Sequence, residues 1–262
     1  MKRKISLLLA SLILSSSTLS SCALGPPPRP ESIDAEIYDP IKDVNRGIFT
    51  FNDTLDRNIL EPVASGYDSI TPDFVQGAVR NFFETLDYPK ILVSNLVQLK
   101  FGQAAESSGR FLINATLGAA GLIDVASDLG LPSHREDFGI ALAYHDVPPG
   151  PYIMLPFLGP SNARDAVGRI VDGFLNPLNF IFYSDIDTDV LVPVTLSLQA
   201  LSILQTRSDL LEVIGDARRD SVDFYLATQA AYYQVRSGLL YDGAPSESAS
   251  DTAEDEEFGT LK

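Results

Sequence analysis

The chain lacks tryptophan altogether and holds one cysteine and two histidines in 262 residues. A single cysteine rules out an internal disulfide. His134 and His145 stand eleven apart among proline-rich turns; a zinc site needs tighter ligand pairs, so both read as loop residues. The G-x-S-x-G elbow of a serine hydrolase is missing, and Ser161 in Leu158-Gly159-Pro160-Ser161-Asn162 lacks its spacing. No Gly-rich loop ends in Lys-Ser/Thr, which disfavours a nucleotide-driven activity. Carboxylates are plentiful, but no pair of defined spacing nominates an acid and a base. Basic residues are scarce too: 19 Lys and Arg against 35 Asp and Glu give a formal net charge of −16, which excludes nucleic acid as a partner. The expectation is a non-enzyme without a cofactor.

What is present begins with Lys2-Arg3-Lys4, the apolar stretch Ile5 to Leu14 and a Ser-rich approach to Leu19-Ser20-Ser21-Cys22. A basic start, a short apolar region and small residues before a processing point make 1–21 a signal peptide. Leu19 to Cys22 resembles the bacterial lipobox, after whose cleavage the cysteine carries lipid chains. Cys22 is therefore the expected anchor, and several acyl chains at about 0.8 kcal/mol per buried CH₂ would hold it firmly. Ala23, rather than Asp, follows the cysteine, which under the enterobacterial sorting rule points to the outer membrane, periplasmic side. Residues 22–37 contain Gly25-Pro26-Pro27-Pro28-Arg29-Pro30 and read as a stiff, extended spacer. Residues 241–262, with Glu254-Asp255-Glu256-Glu257, read as an acidic disordered tail.

Between these ends, 38–240 reads as one mainly α domain. Val44, Ile48, Phe51 and Leu55 form an apolar stripe in a helix over Asp43 to Leu60, closed by Pro62. Pro72-Asp73 opens the next helix, with Phe74, Ala78, Phe82 and Leu86 down one side. After Tyr88-Pro89 a third runs from Ile91 to Phe101 and ends at Gly102. Proline and glycine then crowd the chain from Pro132 to Pro177. Leu191, Val194, Leu198, Leu201 and Leu204 mark a late helix, and Val222, Leu226, Ala230 and Tyr233 another. No alternating strand pattern longer than a few residues is seen. Short amphipathic helices broken by prolines suggest a bent or ring-like arrangement.

Phe111 to Ala126, FLINATLGAAGLIDVA, poses the central question, because it is too apolar for a surface and too short for a span of about 20 residues. As one helix it would place Leu112, Ala115, Ala119, Leu122 and Ala126 on one face and Asn114, Gly118, Gly121 and Asp124 on the other. Two readings stay open: a core helix whose glycines admit a close neighbour, or a wall with small and polar groups facing an opening. A second apolar run, Pro151 to Leu158, adds surface that a tethered protein could rest in one leaflet.

Several motifs in one order, Asp39-Pro40, Asn45-Arg46, Phe51-Asn52, Pro62-Val63-Ala64, Asn114 with Gly118 and Gly121 through Ala126, Asp137-Phe138-Gly139, Gly150-Pro151-Tyr152 and Gly159-Pro160-Ser161, resemble the MlaA (VacJ) family of outer-membrane lipoproteins. The resemblance covers Tyr38 to Tyr233. It implies an α-helical ring in the inner leaflet of the outer membrane, around a central passage. It further implies removal of stray outer-leaflet phospholipids, their hand-over to a periplasmic lipid-binding carrier, and association with a trimeric porin. Asn114, Gly118, Gly121, Asp124, Tyr152 and Leu155 are then the expected passage residues. Asp146 stands at a turn where the family often has glycine, a position Asp can occupy at positive φ. Ile140 stands where a polar residue is common. With tryptophan absent, interfacial anchoring rests on Tyr and Phe. The rival functions are a structural lipoprotein that scaffolds envelope partners and an esterase with an unrecognised site.

Overall fold

A computed structural model describes residues 37–179 and 188–242. The signal peptide, Cys22, all of the spacer but Ile37 and all of the tail beyond Asp242 lie outside the described residues. Among those described the protein is mainly α. Helix α1 (Lys42–Leu55), a π-helical segment (Asp56–Leu60) and α2 (Glu61–Ile70) follow without a break. Pro62 therefore does not close the first helix, contrary to expectation. The π segment reaches one residue further back, Glu61 N–H to Asp56 O, and shifts the hydrogen-bond register just before the proline. Pro62 then falls in the first turn of α2, where its missing N–H is tolerated.

Helix α3 (Asp73–Leu86) starts after Pro72 as expected, α4 (Tyr88–Val97) carries Pro89 in its first turn, and α5 (Phe101–Thr116) follows. The break between α4 and α5 comes before Gly102. Leu99 takes φ 60°, Leu99 N–H bonds Leu96 O at 3.1 Å, and Lys100 N–H bonds Asn95 O at 2.9 Å. That is a Schellman closure with leucine in the position glycine usually takes, and Gly102 lies inside the next helix.

Next come α6 (Val125–Asp128), α7 (Phe138–Tyr144), the hairpin β1 (Tyr152–Leu155) and β2 (Gly159–Asn162), then α8 (Ala163–Leu175), α9 (Thr188–Asp209), α10 (Leu211–Asp220) and α11 (Phe224–Leu240). The hairpin was not legible as strand. It is antiparallel, with Tyr152 opposite Asn162 and Leu155 opposite Gly159, and only four residues long on each side. Asn162 and Asp223 cap α8 and α11 by accepting the N–H of Asp165 and Leu226. Asp146 does adopt a positive φ, 59°.

Packing brings the ends of the fold together: α9 lies against α2 and α3, α7 against α8, α4 and α11, and α1 against β1. The apolar core is small, formed by Tyr152, Met154, Tyr225 and Tyr232 with Ile37, Ile48, Phe49 and Tyr233 around them. Its rings meet edge-on, as between Phe49 and Tyr225 at 5.5 Å and between Tyr152 and Tyr225 at 6.0 Å. The stripe on α1 only partly faces this core. Ile48 does, while Val44 and Phe51 are exposed and Asn45 is wholly buried.

That reversal extends over the molecule. Among the described residues, the buried set holds sixteen polar or charged side chains against ten hydrophobic ones, five of them alanine. Thirty large hydrophobic side chains are exposed, Phe74 at 79% and Leu117 at 69% among them. An aqueous globular protein buries Leu, Ile, Val and Phe preferentially and keeps most polar groups outside. Periodicity carries no information on the medium each apolar face meets.

Candidate functional site

A cavity of about 510 Å³ opens between α3, α4, α5, the segment 133–137 and α9. Its wall sets charged and small polar groups among apolar ones, Phe83, Ile91, Phe111, Leu210 and Leu239 among them. Arg80 and Glu84, four apart on α3, share one face, which turns this pair into the cavity. Arg80 pairs with Asp209 of α9, and Arg135 with Glu84 at 3.1 Å, so ion pairs bridge the cavity's elements. The hydrogen bond from Arg80 lowers the Asp209 pKa, outweighing partial burial. Glu136, almost wholly buried, accepts from Gln98 at 2.7 Å and Lys100 at 3.0 Å. Burial nevertheless pushes its pKa up.

Two expected site residues, Asn114 and Asp124, line this cavity. They do so as the centre of a locked loop. Asn114 Nδ2 donates to Asp124 at 2.8 Å, and its Oδ1 accepts the buried Ala126 N–H at 2.9 Å. Arg110 reaches both Asp124 oxygens, at 3.0 and 2.9 Å, and the Leu131 carbonyl at 2.6 Å. Asp124 also caps α6 by accepting from Ser127 N–H and Oγ. Burial works against its charge, but the bonds from Ser127, Asn114 and Arg110 hold its pKa down to about 2.

Gly118 and Gly121 are placed differently from expectation. Phe111 to Ala126 is not one helix: α5 stops at Thr116, and Ala119, Ala120 and Gly121 take φ of 53°, 60° and 90°. The helical-wheel faces drawn through Ala126 therefore do not exist. Both glycines are buried against protein. A Cβ on Gly118 would lie 2.1 Å from the Ile123 carbonyl oxygen, and one on Gly121 2.5 Å from Thr85 Oγ1. The loop is closed by Gly121 N–H to Asn114 O and Ile123 N–H to Gly118 O, each 2.9 Å. The glycines permit this tight turn to dock on α3. The polar Asn114 and Asp124 face the cavity, while Leu117, Leu122 and Ile123 stand exposed on the outside.

Tyr152 and Leu155 lie elsewhere, on β1. The Tyr152 ring is in the aromatic core and does not line the cavity. Burial raises its hydroxyl pKa. Two asparagines seven apart on α1 clamp this strand. Asn45 donates to Tyr152 O and accepts Met154 N–H; Asn52 donates to Leu155 O and accepts Phe157 N–H. Two helical turns thereby match the carbonyls at the two ends of β1, three residues apart. Ile140, in α7, is fully buried. His134 binds Glu106 at 2.6 Å and lines the cavity, and His145 reaches the Val97 carbonyl at 2.7 Å. No group of residues able to hold a metal ion occurs among the described residues.

Sequence reading missed Arg80, Glu84, Arg110, Arg135, Ser107 and Asp209 as cavity residues. The four-residue spacing of Arg80 and Glu84 was a visible signal; the partners Arg135 and Asp209 come from far along the chain and were not.

An exterior rich in large apolar side chains and a cavity carrying charged groups define a class: a helical protein whose surface suits contact with lipid or a partner. No helix among the described residues is long and apolar enough to cross a membrane. The chain belongs to the MlaA lipoprotein family, which it matches over residues 37–238. It is 40% identical over 206 residues to an uncharacterized protein of Rickettsia conorii, covering 78% of this chain and 79% of that one. It is 31% identical over 209 residues to the intermembrane phospholipid transport system lipoprotein MlaA of Escherichia coli K12, with the same coverage. A solved chain, described in work on the structural basis for maintenance of bacterial outer membrane lipid asymmetry, superposes with a TM-score of 0.65 at 30% identity, covering 77% of this chain and 98% of that one.

Proposed function

We propose that this protein is an outer-membrane lipoprotein, anchored through Cys22 on the periplasmic side, that removes mislocalised phospholipids from the outer leaflet and hands them to a periplasmic lipid-binding carrier. The observation that carries this reading is the inverted polarity: exposed leucines, phenylalanines and isoleucines outside, and a charged cavity within. The family membership, with a relative named for intermembrane phospholipid transport, supports the same assignment.

A passage of this kind answers a physical need. Two long acyl chains drawn into water cost on the order of 20 kcal/mol, at roughly 0.8 kcal/mol per CH₂. A charged headgroup drawn through hydrocarbon is strongly opposed as well. A polar cavity inside a protein bathed in lipid lets the head travel among hydrogen-bonding groups while the tails keep to apolar surface. The locked loop around Asn114 and Asp124 would hold one wall of the cavity rigid, with Gly118 and Gly121 setting its tight turn. Tyr152 and Leu155 contribute through the clamped hairpin. No step needs a cofactor, and net direction comes from the carrier's affinity and from whatever follows it. A trimeric porin is the expected membrane partner.

The test is reconstitution in liposomes with a purified acceptor protein. Transfer of intact phospholipid supports the reading. Absence of transfer favours a structural scaffold, and release of fatty acid favours an esterase; either result overturns it.

A further inference from the structure

The cavity wall carries six carboxylates, Glu84, Asp87, Asp124, Glu136, Asp137 and Asp209, against four permanent cations. All four cations are already held by carboxylates: Arg80 by Asp209, Lys90 by Asp87, Arg110 by Asp124 and Arg135 by Glu84. The other two acids are bonded from behind the wall, Glu136 by Lys100 and Asp137 by Arg236. A headgroup bearing only negative charge would have to break one of these pairs to find a cation, in a chain whose overall field is already repulsive at −16. An ammonium meets no such obstacle. A carboxylate offers about four acceptor positions, and Glu84 accepts one bond, from Arg135 Nη2 at 3.1 Å.

The ion pairs at this wall are also the ones able to change partners. Arg80, Glu84, Asp209 and Arg135 influence one another electrostatically, and all four are partly exposed. Exposed pairs are worth only about 0.2–1 kcal/mol each, so an incoming cation can share them. A second feature points to a polar occupant. Ser107 is 7% exposed, lines the same cavity, and its hydroxyl has no hydrogen-bond partner. A buried hydroxyl left so costs about 1–3 kcal/mol, which an oxygen-rich headgroup would recover.

We propose that the cavity selects zwitterionic, amine-bearing phospholipid headgroups over anionic glycerol headgroups, the ammonium resting on the Glu84 and Asp209 side of the wall and headgroup oxygens satisfying Ser107. This rests on the lipid-transfer reading and names the substrate class within it. The full lipoprotein is equilibrated in nanodiscs holding equal amounts of phosphatidylethanolamine and phosphatidylglycerol, and the lipid retained after extraction is read by native mass spectrometry. An amine-lipid excess of about threefold is expected, the size of one partly exposed charge contact. Glu84→Gln removes the negative charge that pairs with Arg135, and should bring the ratio close to one. Arg135→Gln should raise it. A merely structural disturbance would move both variants the same way, and that outcome, or an equal ratio in the unaltered protein, overturns the selectivity while leaving lipid transfer standing. Retention of neither lipid overturns the selectivity and, with no transfer to an acceptor, the transfer reading as well.

Discussion

Replacing Asn114 by aspartate changes one heavy atom and should unsettle the loop that forms one wall of the cavity. The new carboxylate can still accept Ala126 N–H, but the 2.8 Å bond that Nδ2 donates to Asp124 becomes a contact between two acids. Loss of a hydrogen bond to a charged group costs about 1.5–3 kcal/mol. Two carboxylates at that separation would repel by several kcal/mol at an effective dielectric of about 20, so one takes up a proton instead. Arg110, already on both Asp124 oxygens, offsets part of this. A net loss of about 2–3 kcal/mol at pH 7 follows from these terms. The protonated carboxyl has a pKa above its unfolded value, so the loss is present at neutral pH and shrinks as pH falls through the folded value. Asn114→Ala loses both bonds, to Asp124 and from Ala126 N–H, without adding a charge, and its deficit should not shrink in this way. Denaturant midpoints in detergent at pH 7.5 and pH 4.5 distinguish the two variants. A stable Asn114→Asp protein at neutral pH, or a deficit that ignores acidification, would refute the reasoning.

Asp172 offers the opposite pH signature: burial, aided by Asp137 and opposed by the Phe138 N–H bond, raises its pKa to about 6. Its favourable contribution is therefore complete below the unfolded value and lost as pH rises through about 6. Asp172→Asn can keep the Phe138 bond and should stabilise the protein by about 1–2 kcal/mol at pH 7.5, an advantage that melting curves should show disappearing below pH 4. Gly121→Val must place a β-branched residue at φ 90° with its Cβ 2.5 Å from Thr85. A cost of about 3 kcal/mol or more is expected, visible as lower expression and an earlier thermal transition. Asn45→Ala removes bonds to Asp39, Tyr152 O and Met154 N. It should cost about 3 kcal/mol and release the hairpin to proteolysis near Phe157.

Helix class, the start at Pro72 and the polarity of Asn114 and Asp124 could be read from the sequence because they depend on local spacing, whereas Val222, read as part of the last helix, falls before its cap Asp223. The π segment could not, since Asp56 is held in place by Arg207 and Arg218 from the far end of the chain. Nor could the break inside Phe111 to Ala126. Its apolar periodicity fits a helix throughout, and what stops it is a close turn docked on Thr85 of α3. Tyr152 sits in a tetrad of aromatic and methionine side chains whose members are separated by up to 80 residues. Most of all, periodicity cannot say whether Phe74 or Leu117 faces water, protein or lipid; only the location of the polar groups on the other side decides that.

That decision can be measured directly. Single spin labels at Phe74, Leu117 and Ile123 outside and at Thr206 in the cavity wall, in nanodiscs, report contact with dissolved oxygen, enriched in lipid, or with a water-soluble nickel complex. The account predicts oxygen contact at the three outer positions and nickel contact at Thr206. Nickel contact at all four would mean that the apolar exterior faces water, and the account would fail.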